Sequence, residues 1–219
     1  MKNPAEEWQK AARVLVAGGL VVLPTDTIFG ITARALEEKA VARLYAARGR
    51  DPQKACIVLC SGMADLKKLG VHIDSAQQEL LSKIWPNPVS IILPVNSSHP
   101  TYLNRGRGTL AVRIPKGKQL ERLLKATGPL IAPSANPEGK ASAKDIDEAR
   151  QYFGDRVGCY VGGEAGGMPS TLVELKGSKL KIIREGAWKV PENLMAEPVS
   201  KPIAIQSQDK FEEKKTNPR

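Results

Sequence analysis

The sequence predicts an α/β fold. Short apolar, β-branched runs alternate with segments of helical period, glycines and prolines punctuate the joins, and several apolar runs empty directly into polar turns. The runs are spaced too irregularly for a purely parallel strand order, and the chain contains no internal repeat.

Taken in order, residues 4 to 17 suit an amphipathic helix, since Trp8, Ala11, Ala12, Leu15 and Val16 recur near helical spacing and Gly18-Gly19 ends it. Leu20 to Leu23 reads as a buried strand that Pro24 terminates by removing a ladder donor. Thr25-Asp26-Thr27 follows, and Gly30 permits a tight turn or a close backbone approach. A helix over 37 to 47 ends in the cationic loop Arg48-Gly49-Arg50-Asp51-Pro52-Gln53-Lys54, which leads to a strand at 56 to 59 and a short helix at 63 to 69. Residues 75 to 84 form a helix that Trp85-Pro86-Asn87-Pro88 breaks. Strands are expected at 89 to 95 and 110 to 114, separated by the basic turn Arg105-Gly106-Arg107-Gly108. In the second strand, alternation puts Arg113 and Leu110 in different surroundings.

A helix at 120 to 126 precedes a strand at 130 to 132, which runs into a second polar turn, Pro133-Ser134-Ala135-Asn136. Ser142 is the expected cap of a helix reaching Tyr152, with Asp145 completing a capping box. Strand residues Val157 and Tyr160-Val161, the glycine-rich loop 162 to 169, and strands at 170 to 175 and 180 to 184 complete the regular pattern. One domain is expected over 1 to 196, with a basic, flexible C-terminal tail over 197 to 219.

At 219 residues, 42% apolar and 26% charged, the chain is long enough to bury one substantial core and resembles a folded soluble protein in composition. No apolar run reaches membrane-spanning length and the N-terminal stretch lacks a secretory signal, so a cytoplasmic protein without membrane contact is expected. Cys56, Cys60 and Cys159 are sparse and read as buried thiols rather than a disulfide framework. With only His72 and His99 beside them, no zinc site is expected. The net charge of +10 favours anionic partners, either nucleotides and pyrophosphate or RNA, although part of it lies in the tail.

The polar turns carry the chemistry. Hydroxyl and amide residues at strand ends can be held rigidly and aimed into one cleft. Arg48, Arg50 and Lys54 lie within seven residues, and in an extended loop Arg48 and Arg50 would share a side, an arrangement suited to clamping polyphosphate or carboxylate. The same pattern also fits a solvated charged loop, and Thr25-Asp26-Thr27 also fits a simple turn cap. No Gly-Lys-Ser/Thr occurs, which excludes a Walker loop. No serine, histidine and acid set suggests a nucleophilic triad, and there are too few aromatics for an RNA-binding sheet.

The ordered motifs resemble the Sua5/YrdC family of threonylcarbamoyl-AMP synthases. Pro24-Thr25-Asp26-Thr27-Ile28-Phe29-Gly30 is similar to the family's Pro-Thr-Asp-Thr-Val-Tyr-Gly, and Arg48-Gly49-Arg50 with Lys54 to its Lys-x-Arg…Lys. Trp85-Pro86-Asn87-Pro88-Val89-Ser90 is similar to Trp-Pro-Gly-Pro-Val-Thr. Ala111-Val112-Arg113-Ile114-Pro115, Ser134-Ala135-Asn136, Pro169-Ser170-Thr171-Leu172-Val173 and Ile183-Arg184-Glu185-Gly186 follow in family order, so the likeness spans residues 10 to 187.

The resemblance implies a YrdC-like twisted, open mixed sheet with flanking helices around a basic cavity. It implies synthesis of threonylcarbamoyl-AMP and pyrophosphate from L-threonine, bicarbonate and ATP, with magnesium accompanying ATP. The downstream partner would be the tRNA threonylcarbamoyltransferase machinery that completes t6A37, and direct contact with tRNA or double-stranded RNA is a further expectation. Carried over by motif, Thr27, Arg113, Ala132 (through its backbone) and Ser170 would hold L-threonine. Arg48, Arg50, Ser134, Asn136 and Arg184 would hold ATP, and Arg50, Lys54 and Arg184 would supply electrostatic catalysis, with no protein metal ligand.

Four positions depart from the family pattern. Arg48 replaces the first lysine, as it does in the YciO-like branch, and Phe29 replaces tyrosine. Asp51 stands where proline is usual and is expected to neutralise Arg50 in part, while Glu138 alters Ser-Ala-Asn-x-Ser-Gly. A YciO-like paralogue with different nucleotide chemistry and a non-catalytic double-stranded RNA-binding protein are the alternatives.

Overall fold

The computed structural model describes residues 3–96 and 99–196. Helix α1 (Pro4–Val16) starts where the Asn3 side chain accepts the Ala5 amide at 3.0 Å and proline takes the first helical position. Six further helices follow: α2 (Glu38–Arg48), α3 (Ala64–Lys68), α4 (Ser75–Ile84), α5 (Thr101–Asn104), α6 (Lys118–Thr127) and α7 (Ile146–Phe153). The strands are β1 (Val21–Pro24), β2 (Phe29–Arg34), β3 (Val58–Leu59), β4 (Val89–Pro94), β5 (Thr109–Arg113), β6 (Leu130–Ile131), β7 (Cys159–Tyr160), β8 (Thr171–Lys176) and β9 (Lys179–Arg184). They make one nine-stranded mixed sheet in the order β7-β1-β2-β6-β3-β5-β4-β8-β9. The α/β class and the mixed, helix-flanked sheet agree with the sequence.

Strand alternation sorts the apolar residues onto two faces. Val22, Ile31, Val58, Ile91, Val112 and Val173 join the larger core on one face. On the other, Val21, Leu23, Leu59 and Leu130 pack against Leu15 of α1 and Leu120, Leu123 and Leu124 of α6. That second apolar layer stops at β3, because no residue of β4, β5, β8 or β9 belongs to it. Among the described residues no helix of that apolar layer covers the other half of this face, and Ala111, Arg113, Ile92 and Leu172 line a cavity there.

Of the tight turn or close backbone approach expected at Gly30, the structure shows the close approach, inside strand β2. The chain reverses earlier, at Thr25–Ile28, and β2 pairs antiparallel with β1 from Pro24↔Phe29 to Val21↔Thr32. Five of its six residues are buried, so the period-2 signal of a half-buried strand is missing. Gly30 lies in an antiparallel bridge with Ser134, where a Cβ would stand 3.4 Å from the Pro133 carbonyl oxygen. At α7 the cap is Asp145, whose carboxylate accepts the Glu148 amide at 2.8 Å, and Ser142 lies outside the helix. The four-residue α5 has no apolar period and was not expected. Cys56, Cys60 and Cys159 are all buried, and none forms a disulfide among the described residues. Among the described residues no helix is long and apolar enough to cross a membrane, and the tail expected over 197 to 219 lies outside them.

Ile31→Ala removes a fully buried side chain from the middle of β2. It should cost about 3 kcal/mol of unfolding free energy in urea, whereas a change below about 1 kcal/mol would contradict a strand packed on both faces.

Candidate functional site

The bare half-face supports a cavity of about 440 Å³, a size suited to a small ligand. Thr109, Ala111 and Arg113 reach it from alternate positions of β5, while Leu110 and Val112 point into the core. Arginines 50, 107, 113 and 184 line it, and hydroxyls come from Thr25, Thr27, Thr109, Ser134, Ser142 and Ser170. Among the described residues, no carboxylate lines the wall.

The Thr25–Ile28 loop is fixed by its own hydroxyls. Thr25 Oγ1 donates to the Ile28 carbonyl at 2.7 Å, accepts the Thr27 amide at 3.1 Å and meets Thr27 Oγ1 at 2.9 Å. These bonds belong to a turn, yet they also hold Thr27, only 2% exposed, in the cavity wall. Asp26 ties the loop to the end of β5. Its Oδ1 lies 3.4 Å from Arg113 Nη2, an ion pair outside hydrogen-bond geometry, and its Oδ2 accepts the Lys116 amide at 3.1 Å. Burial draws the Arg113 guanidinium pKa down, Asp26 opposes that shift and Arg184 adds to it; an arginine remains charged regardless. Arg113 Nε is buried without a hydrogen-bond partner, a costly state that an anionic ligand would relieve.

Opposite, Ser170 Oγ lies 2.9 Å from Ser90 Oγ, and the Ser170 carbonyl accepts Arg184 Nη2 at 2.8 Å. A Cβ at Gly186 would lie 2.5 Å from the Ser170 carbonyl carbon, so glycine lets the chain beyond Arg184 pass the serine. Ala132 and Ser134 arrive from β6, whose continuation is bonded on both sides. The Ala132 amide donates to Ile57 at 3.0 Å and the Ala135 amide to Phe29 at 2.9 Å.

The cationic loop differs from its expected form. Arg48 closes α2, and Gly49 turns left-handed at φ 59°, returning the Arg50 amide to the Tyr45 carbonyl at 3.0 Å. Arg48 and Arg50 therefore diverge instead of sharing one side. Arg48 is 4% exposed and stands behind the wall. It donates from Nε to the Asn136 carbonyl at 2.7 Å, from Nη2 to Asn136 Oδ1 at 3.3 Å and, at 3.5 Å, to Ser134 Oγ. Burial, then Arg50, lowers its pKa. Asn136 is also off the wall, since its amide donates to the Pro137 and Lys140 carbonyls at 2.9 and 2.8 Å. Arg50 lines the cavity with Nε and Nη2 on the Lys54 and Ala55 carbonyls at 3.1 and 3.0 Å.

Asp51 was expected to offset Arg50, but its carboxylate accepts the Gln53 amide at 2.8 Å. Glu138 takes that place. It pairs with Lys54, lies 3.8 Å from Arg50 Nη1 and accepts the Asp51 amide at 3.3 Å. The Lys54 hydrogen bond, outweighing desolvation, holds the Glu138 carboxyl below its ordinary range. Lys54 is outside the cavity wall.

Of the residues anticipated from sequence, the structure gathers Thr27, Arg50, Arg113, Ala132, Ser134, Ser170 and Arg184 around one cavity, and sets Arg48, Lys54 and Asn136 apart. Sequence reasoning missed Arg107, Thr109 and Ser142 as wall residues. Two-residue spacing from Arg113 through Ala111 was the available signal for Thr109.

A mixed sheet presents four guanidiniums and, among the described residues, no carboxylate to this cavity, a charge balance in an α/β domain that suits an anion. The chain belongs to the Sua5/YciO/YrdC family, whose model, described as "Telomere recombination", matches residues 13–186. It is 32% identical over 197 residues to a threonylcarbamoyl-AMP synthase of Pyrococcus abyssi, covering 88% of this chain and 58% of that one. The chain thus spans less than two thirds of that relative's length. A threonylcarbamoyl-AMP synthase of Halorhodospira halophila is 33% identical over 159 residues, covering 72% of this chain and 83% of its own. The crystal structure of P. abyssi Sua5 complexed with L-threonine superposes with a TM-score of 0.76 at 30% identity, covering 85% of this chain and 55% of that one.

Arg48→Ala should destabilise the protein by about 2–3 kcal/mol, because it leaves buried acceptors of the Ser134–Asn136 turn unpaired. Arg50→Ala removes contacts to its own loop, to Glu138 and to the Tyr45 ring, all near the surface, and should cost less than about 1 kcal/mol. Paired urea titrations test the contrast, and equal costs would show that Arg48 does not brace the turn.

Proposed function

We propose that the chain makes threonylcarbamoyl-AMP and pyrophosphate from L-threonine, bicarbonate and ATP. The single observation that carries this proposal is the meeting of Arg50, Arg113 and Arg184 with Thr27, Ser134 and Ser170 around one cavity. The names of the relatives and the L-threonine complex of P. abyssi Sua5 support it.

In this scheme the threonine amine captures carbon dioxide or bicarbonate as a carbamate. A carbamate oxygen then attacks the α-phosphorus, forming a P–O bond as the bond to pyrophosphate breaks. No nucleophilic side chain is required, which suits a wall of hydroxyls and guanidiniums. Arg113, with its unpartnered Nε, fits the amino-acid carboxylate, and Thr27 and Ser170 fit the remainder of that substrate. Arg50 and Arg184 fit the phosphoryl oxygens, where fixed positive charge stabilises what develops in the transition state. Arg48 and Asn136 would act by holding the Ser134 turn.

A protein site for magnesium does not fit this wall: among the described residues no carboxylate lines it, and Asp26 faces Arg113. Magnesium is therefore proposed to enter as part of MgATP, held by the phosphates. The product would pass to the machinery that completes t6A37 in tRNA, in the cytoplasm. Arg48 in place of lysine favours a second reading, a YciO-like paralogue with other nucleotide-dependent chemistry.

Purified protein incubated with MgATP, L-threonine and bicarbonate should yield threonylcarbamoyl-AMP by mass spectrometry, and none when threonine is omitted. ATP turnover independent of threonine would favour the paralogue, and RNA binding without product the non-catalytic alternative. Arg50→Ala should lower kcat/KM by about 10²-fold, and an unchanged value would remove Arg50 from the reaction.

A further inference from the structure

We infer that Arg107 is a phosphate-binding residue of the cavity, taking the anchoring share that Lys54 yields to Glu138. The inference rests on the proposed use of ATP and deepens it.

A triphosphate needs cations whose charge is not already matched. Lys54 and Arg50 both face Glu138, and Arg113 is paired with Asp26. Arg107 and Arg184 also line the wall, and neither has a carboxylate within ion-pair distance among the described residues. Arg184 already gives Nη2 to the Ser170 carbonyl, toward the end proposed for the amino acid. Arg107 gives Nη2 to the Gln53 carbonyl at 3.0 Å, so it stands beside the loop that carries Arg50. Among the described residues its other donors face no competing acceptor, and guanidinium geometry suits a phosphate oxygen.

The turn that presents Arg107 is anchored. Arg105, Gly106 and Gly108 have φ of 55°, 76° and 65°, and Asn104 Oδ1 accepts the Gly106 amide at 2.9 Å. The Arg105 guanidinium stacks 4.0 Å over the Tyr45 ring. Neighbouring arginines of the basic turn therefore do different jobs. Arg105 fastens the turn to α2, and Arg107 is left exposed at the cavity edge. Through Arg107 the basic turn contributes to the cavity wall.

Calorimetry on the intact chain tests this with MgATP, AMP and inorganic pyrophosphate as probes. R107Q should weaken MgATP and pyrophosphate by about tenfold, the scale of one charge-assisted contact, and leave AMP unchanged. R107K should stay within about threefold of wild type, and K54Q within about twofold. Wild-type protein that binds MgATP while R107Q binds it equally, or K54Q losses matching those of R107Q, would overturn the role of Arg107 alone. Wild-type protein that binds neither MgATP nor pyrophosphate would overturn both this inference and the proposed reaction.

Discussion

The buried pair between Asp26 and Arg113 is the contact on which the site depends. Their side chains are 7% and 4% exposed, and they join the β1–β2 loop to the end of β5 across a gap in the helical cover. An isolated guanidinium in such a place would carry a heavy desolvation cost, and one carboxylate offsets only part of it. The arrangement leaves Arg113 Nε unpartnered and Asp26 Oδ1 without a hydrogen bond. That incomplete satisfaction is what distinguishes a ligand-facing ion pair from a purely structural one. Because α1 and α6 cover only the β7 to β3 side of their face, the rest of the sheet can offer side chains to a small molecule instead of to a core.

Charge is distributed over the wall unevenly. Glu138 draws Lys54 and part of Arg50 into a clamp that links two loops 84 residues apart. Arg48 sits behind the same loops and bonds the Ser134–Asn136 turn. Of the three cations that the sequence assigned to a phosphate clamp, Arg48 and Lys54 thus work as braces and Arg50 remains at the cavity. An arginine in place of lysine at position 48 suits bracing, since its planar fork meets a backbone carbonyl and a side-chain amide at once.

Much of the fold was legible because its signals were local. Pro24 ending an apolar run, Trp85-Pro86 ending α4, and the alternation of Leu110 and Arg113 each state their structure within a few residues. Strand β2 was not legible, since burial on both faces erases alternation and Gly30 imitates a turn. The polar strand ends Thr27, Ser134 and Ser170 could be picked out by type, but only the sheet order brings them together. The divergence of Arg48 and Arg50 depends on one left-handed glycine, and the Glu138 clamp on a contact too distant for any spacing rule. Arg107 was visible as a cation, but its place at the wall required the turn to be fastened by Arg105 on Tyr45.

A crystal structure of the chain with L-threonine and a non-hydrolysable ATP analogue tests most directly whether the uncovered half-face is the working surface. The predicted result is the amino-acid carboxylate on Arg113 and the phosphates on the arginines of the opposite rim, all on the β5–β8 side not covered by α1 and α6. Ligand density elsewhere, with Arg113 Nε still unpartnered, would contradict it.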